Sequence, residues 1–160
     1  MTNLFLASEI LEINIEEERN GAAFYLALAE KSTNKQVQSV ARQIANQEIM
    51  HEKRFRELLD RVEVREFEEQ YPGEFSSYID GLKGHQIFSN PPHAAETANG
   101  TPDIEAIQLA LKTEYATLKL LNELRRHLDK SEIEYVDLTI EEEEEHVKQL
   151  NDLLSKITPA

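Results

Sequence analysis

Four long stretches of this chain carry apolar residues at helical spacing, and each stretch is interrupted once, near its middle, by glutamate on the apolar stripe. The last stretch shows it most plainly. Ile133, Val136, Ile140, Val147, Leu150 and Leu154 form a seam in steps of three and four, and Glu143 occupies the position that would complete it. Glu114 sits between Leu111 and Leu118 in the third stretch. Glu48 and His51 sit between Ile44 and Phe55 in the second, and Glu18 sits between Ile15 and Ala22 in the first. A buried carboxylate is costly unless it is paired or bound to a cation. A fold that buries these four stripes must therefore bring four acids together and neutralise them.

The stretches predict four helices, over about Ser8 to Lys31, Asn34 to Val62, a third opening at Thr101-Pro102-Asp103 and a fourth opening at Ser131. Asn34 is the expected N-cap of the second. Thr101, Pro102 and Asp103 read as cap, first-position proline and acidic first turn, and Ser131 with Glu134 as a capping box. Short loops join the first helix to the second and the third to the fourth, so each pair is expected to be antiparallel. The middle connection, about 63–100, holds Pro72-Gly73, Gly81, Gly84, Pro91-Pro92 and Gly100 and cannot be one continuous helix. Phe75, Tyr78, Ile79, Leu82, Ile87 and Phe88 suggest one or two short helical pieces packing back on the bundle. A partner-binding or regulatory flap is the alternative use of that segment. The expected fold is all-α: one domain over 1–160, an antiparallel four-helix bundle with a long crossover between helices 2 and 3, which is ferritin-like topology.

Composition narrows the function. The 160 residues have a net charge of -14, which argues against a nucleic-acid partner and an anionic membrane surface. No stretch is long and apolar enough to span a bilayer, and a cytoplasmic protein is expected. There is no cysteine, so any metal must be held by oxygen and imidazole.

The interrupting residues supply such ligands. Glu48-Ile49-Met50-His51 and Glu143-Glu144-Glu145-His146 each place a Glu and a His one turn apart on one helix face. With Glu18 and Glu114 they complete a known pattern for two metals in a bundle core: one Glu from each of two helices and Glu-x-x-His from the other two. The two halves repeat at an offset of about 95 residues, as a pseudo-two-fold bundle would. Four carboxylates balance two divalent cations, and each imidazole adds a nitrogen ligand. Such ligands suit iron or manganese, and zinc can also occupy them. Tyr25 is placed to fill the core or to hydrogen-bond a ligand carboxylate. Glu16 and Glu17 are alternatives to Glu18 that fit the stripe less well. Glu141, Glu142, Glu144 and Glu145 read mostly as a solvated face, and Met50 and Tyr115 as facing away from the site. His85, His93 and His127 read as structural or surface residues.

With those residues in place, the chain resembles the rubrerythrin-like branch of the ferritin-like superfamily. The resemblance rests on Glu18-Arg-Asn-Gly-Ala-Ala-Phe-Tyr25, Glu48-Ile-Met-His51, Glu114, Glu143-Glu-Glu-His146 and the crossover stretch Tyr78-Ile-Asp-Gly-Leu-Lys-Gly-His-Gln-Ile-Phe88. It implies a di-iron oxidoreductase that reduces peroxide or O2 with electrons from an external donor, and a homodimer. It also implies Glu48 and Glu114 as bridging ligands, with Glu18 and Glu143 terminal. Rubrerythrins proper carry a further ligand Glu three residues after the third-helix Glu, where this chain has Thr117. They also carry a Cys-ligated rubredoxin iron domain, for which these residues offer no cysteine. Bacterioferritins carry a haem-ligating Met after the second-helix Glu, where this chain has Ile49, so haem is not expected. Two alternatives use the same sequence differently: an iron-handling ferroxidase, and a metal-free helical interaction module.

Overall fold

The structure is a computed structural model that describes residues 5–69, 76–84 and 86–159. The helices are α1 (Phe5–Lys31), α2 (Lys35–Glu69), α3 (Ser76–Lys83), α4 (Pro91–Asn99), α5 (Asp103–Arg125) and α6 (Lys130–Ile157). The long helices α1, α2, α5 and α6 form the bundle. The pairs α1 with α2 and α5 with α6 are helical hairpins, and α1 packs on α5 and α2 on α6.

All four packed neighbours run antiparallel. The end of α1 meets the start of α5, where Ser32 Oγ donates to Asp103 Oδ2 at 2.6 Å. The chain leaves α2 at the opposite end of the bundle. It must travel the bundle's length before α5 begins, which is why a long crossover is required. None of the helices among the described residues is long and apolar enough to cross a membrane.

The expected crossover contains two short helices. α4 lies along α1. Pro91 and Pro92 begin this helix, because proline fits the first turn, where no backbone donor is needed; Asn90 caps it by accepting from His93 N at 2.8 Å. Phe88 stacks on Phe24, with ring centroids 5.2 Å apart, and its carbonyl accepts from Asn20 Nδ2 at 3.0 Å. Ile79 of α3 is buried against the other end of the bundle. The expected contributions of Phe75 and of the Tyr78 side chain lie outside what is described.

Three helix starts and ends differ from the sequence expectation. Asn34 does cap α2, accepting from the backbone of Gln36 and Val37 at 2.9 and 3.2 Å, but α2 continues past Val62 to Glu69. At α5 the N-cap is Pro102 rather than Thr101, and Thr101 Oγ1 turns back to donate to Thr97 O at 2.5 Å. At α6 the helix begins earlier than Ser131, and Glu132 accepts from Asp129 N at 2.8 Å. At α6 Asp129 and Glu132 satisfy the same backbone requirement two positions earlier, whereas at α5 the N-cap Pro102 makes no side-chain cap hydrogen bond.

The buried seam of α6 is Val136, Thr139, Glu143, His146, Leu150 and Leu153. The expected Ile133, Ile140, Val147 and Leu154 flank it, half-buried. A small polar residue at Thr139 and the two chemical residues hold the centre of the interface, so the apolar pattern alone marks its edge. The core divides into two apolar clusters. One surrounds Phe24, Leu28, Ile44, Ile107 and Leu150, and the other Ile10, Phe55, Leu58, Leu121 and Val136. The polar residues singled out from sequence lie between them.

Candidate metal centre

All six residues meet at mid-height in the bundle. Glu18, His51, Glu143 and His146 are 0% exposed, Glu48 is 4% and Glu114 3%. α1 contributes Glu18, α5 contributes Glu114, and α2 and α6 contribute the two Glu-x-x-His pairs. Two overlapping groups have ligand atoms within 4.8 Å of one another: Glu18, Glu48, His51 and Glu143, and Glu48, Glu114, Glu143 and His146. Glu48 and Glu143 belong to both. The resemblance to rubrerythrins implied Glu48 and Glu114 as the shared pair. Here Glu114 lies in one group only.

The histidines point the same nitrogen inward. His51 Nδ1 lies 3.0 Å from Glu143 Oε1 and 3.4 Å from Glu18 Oε2. His146 Nδ1 lies 2.9 Å from Glu143 Oε2, 3.3 Å from Glu48 Oε1 and 3.7 Å from Glu114 Oε1. The rings stack with centroids 5.7 Å apart. Their outer nitrogens contact acceptors: His51 Nε2 meets Glu142 Oε2 at 3.0 Å, and His146 Nε2 meets Gln47 Oε1. Arg54 Nη1 holds Glu142 at 3.0 Å and also donates to Thr139 Oγ1 at 2.8 Å. Tyr25 OH donates to Glu114 Oε1 at 2.6 Å while its ring is buried in the core, so this side chain does both things expected of it.

The electrostatics are those of acids forced together. Burial raises the pKa values of Glu18, Glu48 and Glu114 well above the usual carboxylate range, and the charge of Glu143 adds to it. Glu143 is the exception. Burial would raise it too, but bonds from Glu114, His146 and His51 outweigh that and hold it below the usual range. Burial would lower both histidines, yet Glu143 raises His51, and Glu114, Glu143 and Glu48 raise His146. Without a cation, then, the cluster favours the charged form of Glu143 and of both imidazoles and disfavours it in the other three acids.

That arrangement leaves ligand atoms unused. Both oxygens of Glu18 and Oε1 of Glu48 are buried and have no hydrogen-bond partner. Buried polar atoms are normally satisfied, and three unsatisfied carboxylate oxygens aimed at one centre are what a hard or borderline cation would complete. The donor set therefore fits a pair of metal ions.

Several contributors were not apparent from sequence. Gly21 is one: a Cβ there would lie 2.7 Å from Glu48 Oε2, so a side chain at this position competes with the carboxylate. Its mid-helix position was the available signal, since glycine weakens a helix interior. Glu142 was read as part of a solvated face, but it reaches across to His51. Glu16 is exposed, as a poor alternative to Glu18 should be, and Met50 and Tyr115 face outward. Glu17 is partly buried and lines a cavity of about 230 Å³ with Ile13, Leu82 and Leu120. It also lines a much smaller void of about 10 Å³ beside Gly21, Tyr25, Glu48 and Glu114. His93 contacts Ser89 and His127 lies near Glu123, both away from the centre; His85 lies outside the described residues.

The rubrerythrin family model matches residues 9–87, just under half of the chain, which include Glu18, Glu48 and His51. No curated protein matches the sequence. Among solved structures the chain is similar to one from Thermotoga maritima, described as a ferritin-like diiron-carboxylate protein. That likeness has a TM-score of 0.74 at 23% identity, over 99% of this chain and 97% of the other, and at that identity it speaks for the fold. The family model covers the half of the ligand frame on α1 and α2, and the fold brings the matching half on α5 and α6 against it: residues 9–87 match the rubrerythrin family, and the chain as a whole has the ferritin-like fold.

Proposed function

We propose that Glu18, Glu48, His51, Glu114, Glu143 and His146 hold two iron ions, and that the protein is an oxidoreductase reducing peroxide or O2. The observation that carries this reading is the pair of overlapping four-residue groups sharing Glu48 and Glu143, with buried carboxylate oxygens left without partners. When bound, the two irons would supply the electrons for the reduction. The chain's own residues do the rest. Glu48 and Glu143 would be shared by the two ions, Glu18 and His51 would hold one, and Glu114 and His146 would hold the other. The apolar clusters on either side exclude bulk water. A void of about 10 Å³ lies beside Tyr25, Glu48 and Glu114, at the lower limit for a single water. Tyr25 OH holds a proton against Glu114 at the edge of that void.

The electrons would come from an external donor, since these 160 residues contain no cysteine to hold a second iron centre by thiolates. Elemental analysis of protein purified without chelators tests the metal, with two ions per chain expected. Anaerobic Fe(II) loading followed by stoichiometric peroxide tests the reaction. Development of di-ferric absorbance is expected, and its absence in protein that has bound two Fe(II) would defeat the oxidoreductase reading.

A further inference from the structure

The two halves of the cluster share Glu48 and Glu143 but are backed differently. On one side His51 Nε2 meets the carboxylate of Glu142 at 3.0 Å, and Arg54 and Thr139 fix that carboxylate in place. On the other side His146 Nε2 meets the neutral amide oxygen of Gln47. Both partners are acceptors, so Nε2 carries hydrogen in each ring and Nδ1 is the nitrogen available to a metal. An imidazole whose outer N–H donates to a carboxylate is the stronger electron donor through its inner nitrogen.

The unshared carboxylates differ in the same direction. Neither oxygen of Glu18 accepts a hydrogen bond from outside the cluster, so both remain available to a metal. Glu114 Oε1 already accepts from Tyr25 OH at 2.6 Å, which withdraws electron density from an oxygen facing the cluster. Two independent contacts, on different helices, thus strengthen one position and weaken the other.

Building on the di-metal reading, we propose that the two metal positions are unequal: the position at Glu18 and His51 takes a divalent cation first and more tightly, and Glu142 is the positioning residue that sets the difference. The test is calorimetric titration of chelator-stripped protein with Co(II), paired with proton NMR of the imidazole N–H signals. Two separated binding steps are expected. At one equivalent, a single paramagnetically shifted N–H should appear, present in His146→Ala and missing in His51→Ala. Glu142→Gln should weaken the tighter step by about 10- to 100-fold and spare the weaker one, the usual size of effect for a group that orients a ligand. Tyr25→Phe, acting from the other side, should strengthen the weaker step and narrow the gap. Equal steps in the unaltered protein overturn the inference while leaving the di-metal reading intact. So does a Glu142→Gln variant that keeps its tighter step or loses only the weaker one. Failure of the unaltered protein to bind two Co(II) defeats the di-metal reading itself.

Discussion

A methyl group at position 21 would sit 2.7 Å from Glu48 Oε2 and 3.4 Å from its Cδ. The first distance is roughly 0.7 Å short of ordinary van der Waals contact. The α1 backbone is fixed by packing on both neighbours, so in Gly21→Ala the Glu48 carboxylate is the group that moves. Glu48 belongs to both ligand groups, and its displacement disturbs both metal positions at once. The same substitution replaces a mid-helix glycine with the best helix former, a gain of roughly 1 kcal/mol. For a chain of this size that corresponds to about 2–4 °C in melting temperature. The two consequences have opposite signs and can be read separately. In chelator, Gly21→Ala should melt at or slightly above the temperature of the unaltered protein. In anaerobic Fe(II), it should lose most of the stabilisation that metal confers, with affinity for both ions reduced by about 10- to 100-fold, as for other disturbances of ligand geometry. Calorimetric titration and thermal melts with and without metal measure both. Two ions bound at unaltered affinity would refute the reasoning, since Glu48 would then not be a ligand that depends on this space.

Other substitutions test the electrostatics. Burial raises the pKa of Glu18 well above the usual carboxylate range and neither of its oxygens is hydrogen-bonded, so Glu18→Gln should leave metal-free stability within about 1 kcal/mol while abolishing the tight metal step. Glu143 is the common acceptor of both histidines, so Glu143→Gln should cost the metal-free protein about 3–5 kcal/mol in denaturant melts. A metal-free interaction module makes the contrary demand that Glu48→Ala and Glu143→Ala both stabilise. Burial raises the pKa of Glu17 to about 7 from 4.5; the folded state therefore holds its proton more tightly than the unfolded chain. Its cost is nil below pH 4.5 and complete above about 7, so Glu17→Gln should stabilise the protein by up to about 3 kcal/mol at pH 8 and not at pH 4. Equal effects at both pH values would count against this. Finally, Glu18, Glu48, Glu114 and both histidines hold raised pKa values without metal, so metal binding must expel protons. Affinity should fall as pH falls, with proton release visible as a buffer dependence of the binding enthalpy. An affinity independent of pH would show that the cluster is already ionised.

Much of this molecule follows from local pattern. Glutamate placed once on each of four helical apolar stripes specifies both the bundle and the six residues at its centre, because helical periodicity is local and burying an acid has a large, predictable cost. The short loops and the interrupted middle segment likewise dictate two hairpins and a crossover. What depends on distance in space was settled only by packing. Glu142 lies in a run of five glutamates, and nothing in the run distinguishes the one that meets His51, 91 positions away. Gly21 matters because Glu48 of another helix lies where its Cβ would be. Which carboxylates are shared between the two groups depends on the azimuth of each helix about its own axis. The composition of a stripe fixes that angle only to within a residue, as the half-buried Ile140 and Val147 on α6 demonstrate. Sequence spacing sets which face of a helix turns inward; the interdigitation of all four helices sets the last fraction of a turn, and ligand geometry is decided within that fraction.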